Sequence, residues 1–219
     1  MTVGVLLAAG SSRRMGTGSK LLAQLGGKSV VRHGAENLLA AGIAPLVVVL
    51  GADEAGVREA LSGLEVRFVC NPEPGCGMAS SIVAGVSGLD SRVDTLVLAL
   101  GDMPGVRPAT VSMLLRAFRQ SRCTIAIPVH QGVRGHPVVF GLGAHRAELL
   151  RLRGDSGARS ILDAHGPDIL SVPVTDPGIR IDVDTPADLA ALQASAVSAE
   201  RDEDRRGGPV AGDRKGGTG

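Results

Sequence analysis

An α/β domain built on a mostly parallel sheet is predicted by three features of this 219-residue chain. Short, nearly continuous apolar runs alternate with longer segments of helical spacing. Gly, Pro, Asn and Asp punctuate the junctions. Hydrophobic residues make up 44% of the chain, enough for one sizeable domain with a closed core.

Val3–Leu7, Leu46–Leu50, Val66–Cys70, Thr95–Leu100 and Thr124–Val129 read as strands. Their apolar character is that of strands covered on both faces. Val30–Ala41, Glu54–Leu61, Ala79–Gly88 and Pro108–Gln120 read as the helices between them, with Pro108 suited to a first turn. Strand and helix in alternation imply right-handed crossovers. The second half is less regular. Pro137–Phe140 and Ile169–Val174 are expected as strands, and Ala144–Arg151 and Ser160–Ala164 as helices. A turn at Asp176-Pro177-Gly178 leads into Ile181–Val183, and Ala187–Gln193 closes as a helix. From about Ser198 almost nothing is apolar, so the expected division is a domain over 1–197 and a disordered charged tail over 198–219.

Composition narrows the function. Twenty-three basic and 22 acidic residues leave a net charge of +1, so no global field draws the chain to nucleic acid or an anionic membrane. With no Trp or Tyr and three Phe, a base-stacking platform is poorly supported. Cys70, Cys76 and Cys123 contain no C-x-x-C pair, which argues against a disulfide framework or zinc site and for a reducing cytoplasm. Cys76 sits in a glycine-rich loop, and its thiol is read as buried or incidental. No membrane span and no export signal is expected, so the location expected is cytoplasmic.

Chemistry is expected beyond the carboxyl ends of the strands. There the run Val3–Leu7 breaks into Ala8-Ala9-Gly10-Ser11-Ser12-Arg13-Arg14-Met15-Gly16, with Lys20 beyond. Small residues let backbone N–H groups approach phosphate oxygens, and Arg and Lys supply counter-charge, as a nucleoside triphosphate requires. The string is neither the Walker loop nor the dinucleotide G-x-G-x-x-G. After Val66–Cys70 comes Asn71-Pro72-Glu73-Pro74-Gly75-Cys76-Gly77-Met78-Ala79-Ser80-Ser81. Its Asn and Ser groups could read a base edge or ribose, or Ser80 or Ser81 could satisfy a helix N-terminus. Asp102, just past Thr95–Leu100, is placed to hold Mg²⁺ or simply to open a turn. In an extended segment Asp182 and Asp184 share a face. Asp184 could bind metal, or it or Thr185 could cap the helix beginning at Pro186. Arg134 and His136 form a polar tip on a strand, and Asp155 and Arg159 lie in or end a glycine-rich loop. Either string could grip an acceptor or be merely structural. His33, His130, His145 and His165 share no ligand spacing and are read as structural.

In order along the chain, these strings resemble the molybdenum cofactor cytidylyltransferases, within the cofactor guanylyltransferase-like nucleotidyltransferases. The likeness spans about residues 3–193. It rests on L-A-A-G-x-S-x-R-M-G with Lys20, N-P-x-x-x-x-G-M-x-x-S-I from Asn71, and G-D-M-P from Gly101. It continues with R-G-H-P-V-x-F from Arg134, G-D-x-G-A-R from Gly154 and D-x-D-T-P from Asp182. Ala9 and Gly77-Met78-Ala79-Ser80-Ser81 look like the cytidylyl rather than the guanylyl branch. One departure is Thr17-Gly18-Ser19, three residues before Lys20 where two are usual.

The resemblance implies a Rossmann-like three-layer α/β/α sandwich. It implies transfer of CMP from CTP to the phosphate of molybdenum-loaded molybdopterin, releasing pyrophosphate, for maturation of an apo molybdenum hydroxylase. Leu7, Ala8, Ala9, Gly10, Ser12, Asn71, Gly77, Ser80 and Ser81 would bind the nucleotide. Arg14 and Lys20 would neutralise the triphosphate, and Asp102 with Asp184 would hold Mg²⁺. Arg134, His136, Asp155 and Arg159 would face the pterin phosphate. Two rival readings follow from the same fold: an NAD(P)H-dependent oxidoreductase acting on a small heterocycle, and a non-catalytic carrier of molybdopterin dinucleotide.

Overall fold

The computed structural model describes residues 1–10 and 19–194. Its strands are β1 (Thr2–Ala8), β2 (Gln24–Leu25), β3 (Lys28–Ser29), β4 (Leu46–Leu50), β5 (Val66–Cys70), β6 (Thr95–Leu100), β7 (Ile125–His130), β8 (Val133–Arg134), β9 (Val138–Gly141) and β10 (Ile169–Pro173). Its helices are α1 (Val30–Ala40), α2 (Glu54–Ala60), α3 (Met78–Ser87), α4 (Pro108–Gln120), α5 (Leu142–Leu149), α6 (Arg159–Ala164) and α7 (residues 186–194).

The main sheet runs β10-β7-β9-β6-β1-β4-β5, with β8 paired to β7. β1 lies between β6 and β4 and is parallel to both, through Leu6↔Ala99 and Leu6↔Val48. The chain therefore winds outward from β1 in two directions, and the crevice at that switch point is where such sheets bind ligands. β9 alone among the main strands is antiparallel, wedged between β6 and β7. The sheet is mostly parallel, as the alternating pattern predicts, and helices cover both faces. Residues from α1, α2 and α4, among them Val31, Leu38, Val57 and Leu114, form one core with Leu6 and Val48. Residues from α3, α5 and α6, among them Ile82, Leu149 and Ile161, form the other with Val5 and Val49. β1 thus feeds alternate side chains to two cores, and its apolar run follows from that. Each fully buried Leu or Ile contributes about 2 kcal/mol by removal from water.

Two readings from sequence need correction. Val66–Cys70 is an edge strand, with Arg67 and Cys70 exposed, and is not covered on both faces. Cys76 is likewise exposed rather than buried. A 3-10 turn, Pro177–Arg180, leads into residues 181–184, which lie in irregular backbone. The tail beyond 194 lies outside the described residues.

Asp176 ties this return segment to the domain. Its buried carboxylate accepts hydrogen bonds from Arg107 N (2.9 Å), Thr110 Oγ1 (2.7 Å) and Gly178 N (2.9 Å). One side chain thereby ties the start of α4 to the turn. Val183 N then donates to Asp102 O at 2.9 Å, which sets Asp184 beside the exit of β6.

Candidate active site

A cleft of about 510 Å³ opens at the carboxyl ends of the central strands. Leu7, Ala9 and Gly10 line it from the exit of β1, and Leu100 and Asp102 from the exit of β6. Gly101 lets these exits close together: its N–H donates to Leu7 O at 2.9 Å, and a Cβ there would stand 2.9 Å from the same oxygen.

At the floor of the cleft Lys20 Nζ donates to Asp102 Oδ2 at 2.5 Å and to Asp184 Oδ1 at 2.7 Å. The side chains of Lys20 and Asp102 are 14% and 19% exposed, so the pair is poorly screened by solvent. Burial alone would lower the lysine's pKa, but the two carboxylates outweigh it and hold the ammonium above its ordinary value. Three intervening residues do not keep Lys20 from the acids. Thr185 answers the capping question. Its Oγ1 accepts from Asp188 N (3.3 Å) and donates to Asp188 Oδ2 (2.8 Å), while Thr185 N donates to the same carboxylate (2.7 Å). That reciprocal box starts α7. Asp184 therefore turns its carboxylate to Lys20. Asp182 is exposed and does not line the cleft.

The opposite wall is made by two interlocked loops. Gly77 has φ +88°, and a Cβ there would run into Asp155 Oδ1 and lie 2.6 Å from Gly154 O. Gly154 O in turn accepts from Ala79 N at 3.1 Å, so a backbone carbonyl satisfies the first turn of α3. Neither Ser80 nor Ser81 caps it. Ser80 Oγ donates toward Glu73 O and Gly77 O, and both serine oxygens accept from Asn71 Nδ2, at 2.8 and 3.1 Å. Asn71 Oδ1 accepts from Glu73 N. Asn71 and Ser80 are committed to shaping the loop, whereas Gly77, Ser81 and Asp155 line the cleft with Pro74, Gly75 and Met78. Pro74, Gly75 and Met78 carry no ligand-binding signature by residue type; the Pro–Gly content that bends the loop is the sequence signal that brings them to the cleft.

Of the other predicted residues, Ala8 is buried within β1. Arg134 is exposed on β8, and Arg159 is exposed at the start of α6. His136 sits below the cleft, beside an apolar hollow lined by Leu38, Met103 and Pro137. Its backbone N–H donates to Ile179 O at 2.8 Å, and its Nδ1 is buried without a hydrogen-bond partner among the described residues. Burial keeps this imidazole below the ordinary histidine pKa, with Asp102 partly opposing. Ser12 and Arg14 lie outside the described residues.

Asp102 also tests whether a hard cation fits. Its Oδ2 meets Lys20, while its Oδ1 is buried with no hydrogen-bond partner among the described residues. An orphaned carboxylate oxygen beside a second carboxylate is an all-oxygen donor set, the kind Mg²⁺ or Mn²⁺ takes together with substrate phosphates. The residues fit the ion.

A switch-point cleft with paired acids, a lysine and a small-residue strand exit suits a phosphate-bearing nucleotide and a divalent cation. Residues 4–169 match the MobA-like NTP transferase domain, and the chain belongs to that family. Among relatives, the chain is 35% identical over 187 residues to a nicotine blue oxidoreductase of Paenarthrobacter nicotinovorans, covering 83% of this chain and 91% of that protein. Among solved structures it is similar to Rv0371c of Mycobacterium tuberculosis, with a TM-score of 0.77 and 29% identity over 88% of this chain and 97% of that one. A complex of the same mycobacterial protein with manganese aligns with a TM-score of 0.72 and 28% identity, over 89% and 98% of the two chains. A Methanothermobacter nucleotidyl transferase shares the fold, with a TM-score of 0.78 at 24% identity over 91% and 99% of the two chains.

Proposed function

We propose that the chain transfers CMP from CTP to the terminal phosphate of molybdenum-loaded molybdopterin. The observation that carries this reading is the Lys20 bridge between Asp102 and Asp184 at the foot of the β1 exit. The ordered motifs and the family membership support it, and the cytidine preference rests on Ala9 and the Gly77–Ser81 string.

Mg²⁺ held by Asp102 and Asp184 would supply charge neutralisation at the triphosphate. The chain's own groups do the rest. The Leu7–Gly10 backbone approaches the phosphates, and Lys20 leaves the carboxylates to follow the charge that builds on the departing pyrophosphate. An acceptor phosphate oxygen forms the new bond to the α-phosphorus as the bond from that phosphorus to the bridging oxygen of pyrophosphate breaks. Positioning and charge stabilisation suffice, with no covalent intermediate on the enzyme. Asp155 and the exposed Arg134 and Arg159 are the groups proposed to meet the acceptor side.

The relative named as an oxidoreductase favours a second reading, NAD(P)H-dependent reduction of a small heterocycle. One experiment separates them: pyrophosphate release from CTP, GTP or ATP with and without loaded molybdopterin, beside NADH oxidation with heterocyclic acceptors. CTP-selective, pterin-dependent release abolished by Asp102→Ala is the expected result. Acceptor-dependent NADH loss without any pyrophosphate would overturn it.

A further inference from the structure

Away from the cleft, three side chains that the sequence does not pair meet between α5 and the end of α6. His145 and Glu148 are three residues apart on α5 and so share a face. His165 follows α6 directly. One ligand atom from each lies within 4.8 Å of the others. His145 Nδ1 is 3.9 Å from Glu148 Oε1, and His165 Nε2 is 2.9 Å from Glu148 Oε2. Tetrahedral ligands at roughly 2.1 Å from an ion stand about 3.4 Å apart, a value these two distances bracket.

The buried histidine is the independent observation. His145 is 1% exposed, and among the described residues its Nδ1 has no hydrogen-bond partner though it faces the other two groups. Its Nε2 is 2.8 Å from Thr124 Oγ1. A buried imidazole fixed by one nitrogen, with the other nitrogen unused, is how a protein orients a metal ligand. Glu148 and His165 are partly exposed, which leaves a way in and room for a water ligand.

We propose that His145 Nδ1, Glu148 and His165 Nε2 bind a borderline divalent cation of the Zn²⁺ or Co²⁺ kind. The two-nitrogen, one-oxygen donor set differs from the all-oxygen set of Asp102 and Asp184, so the two sites select different ions. Bound there, the ion ties α5 to the far end of α6. The near end of α6 continues from the loop that carries Asp155, so the site braces one wall of the cleft.

The test is Co²⁺ titration of chelator-stripped, untagged full chain, read by the visible absorption of four-coordinate cobalt and by thermal unfolding. One equivalent should bind, give the band and raise Tm. His165→Ala and Glu148→Gln should each lose the band, and Asp102→Asn should keep it. Thr124→Val should weaken binding about 10–100-fold. His165 caps a short helix at a partly exposed position, and Glu148→Gln keeps shape, so the folding of either variant is checked by far-UV dichroism. Absence of the band in the wild-type chain would overturn the proposal. So would a band that survives His165→Ala or disappears with Asp102→Asn.

Discussion

Replacing Lys20 by Met should destabilise the chain in metal-free buffer and stabilise its response to metal. The ammonium bridges Asp102 and Asp184 at 2.5 and 2.7 Å, which places the two carboxylate oxygens no more than about 5 Å apart. Two negative charges at that distance repel by about 3 kcal/mol at an effective dielectric of 20, and by under about 1 kcal/mol with water-like screening. A net loss of about 1–3 kcal/mol, or a Tm drop of roughly 3–10 °C for a chain of this size, is expected near neutral pH. Mg²⁺ should then raise Tm more in Lys20→Met than in the wild type, because no ammonium has to be displaced.

The pH dependence has a defined sign. A raised lysine pKa contributes stability that is fully present below the ordinary lysine value of about 10.4 and is lost as pH rises through the folded value. The gap between wild type and variant should therefore hold from neutral pH upward until that range. The assay is differential scanning fluorimetry across pH with EDTA or Mg²⁺. Melting within about 1 °C of wild type in EDTA, with identical Mg²⁺ shifts, would refute the bridge as the floor of the site.

Three further outcomes are expected. Asp102→Asn should lower the rate of pyrophosphate release by about 10²–10³-fold while leaving the far-UV dichroism unchanged. Gly77→Ala places a Cβ 2.6 Å from Gly154 O at φ +88°, so urea unfolding should show a loss of about 2–4 kcal/mol, with weakened nucleotide binding by calorimetry. Asp176→Ala strands three donors, Arg107 N, Thr110 Oγ1 and Gly178 N, and should cost about 2–4 kcal/mol in the same assay, whereas Asp176→Asn should cost less.

What the sequence discloses follows the range of the interactions. The period of apolar residues is local, so Leu46–Leu50, Val66–Cys70, Thr95–Leu100 and Pro108–Gln120 can be drawn to the residue. Strand direction is not local. Nothing in Pro137–Phe140 announces that Val138–Gly141 pairs antiparallel on both sides, nor that β5 is an edge. The acids at 102 and 184 can be named because each follows a strand or precedes a helix in a motif. Their junction through Lys20, across 82 and 164 residues, is a property of the fold. Asn71 and Ser80 look like ligand-reading groups by type, yet they bond to each other and to their own loop. His145 and His165 have no regular spacing because they meet between two helices, so no one-dimensional pattern marks them.

The contact of Gly77 with Asp155 and Gly154 has a consequence for how specificity can change. The two loops forming one wall come from opposite halves of the sheet, and each fills the space the other leaves. A larger side chain at 77 would have to be answered by withdrawal at 154–155. On the proposed roles of the two loops, one at the nucleotide and the other at its acceptor, the two selectivities are coupled, and redesign of either loop calls for a matching change in the other.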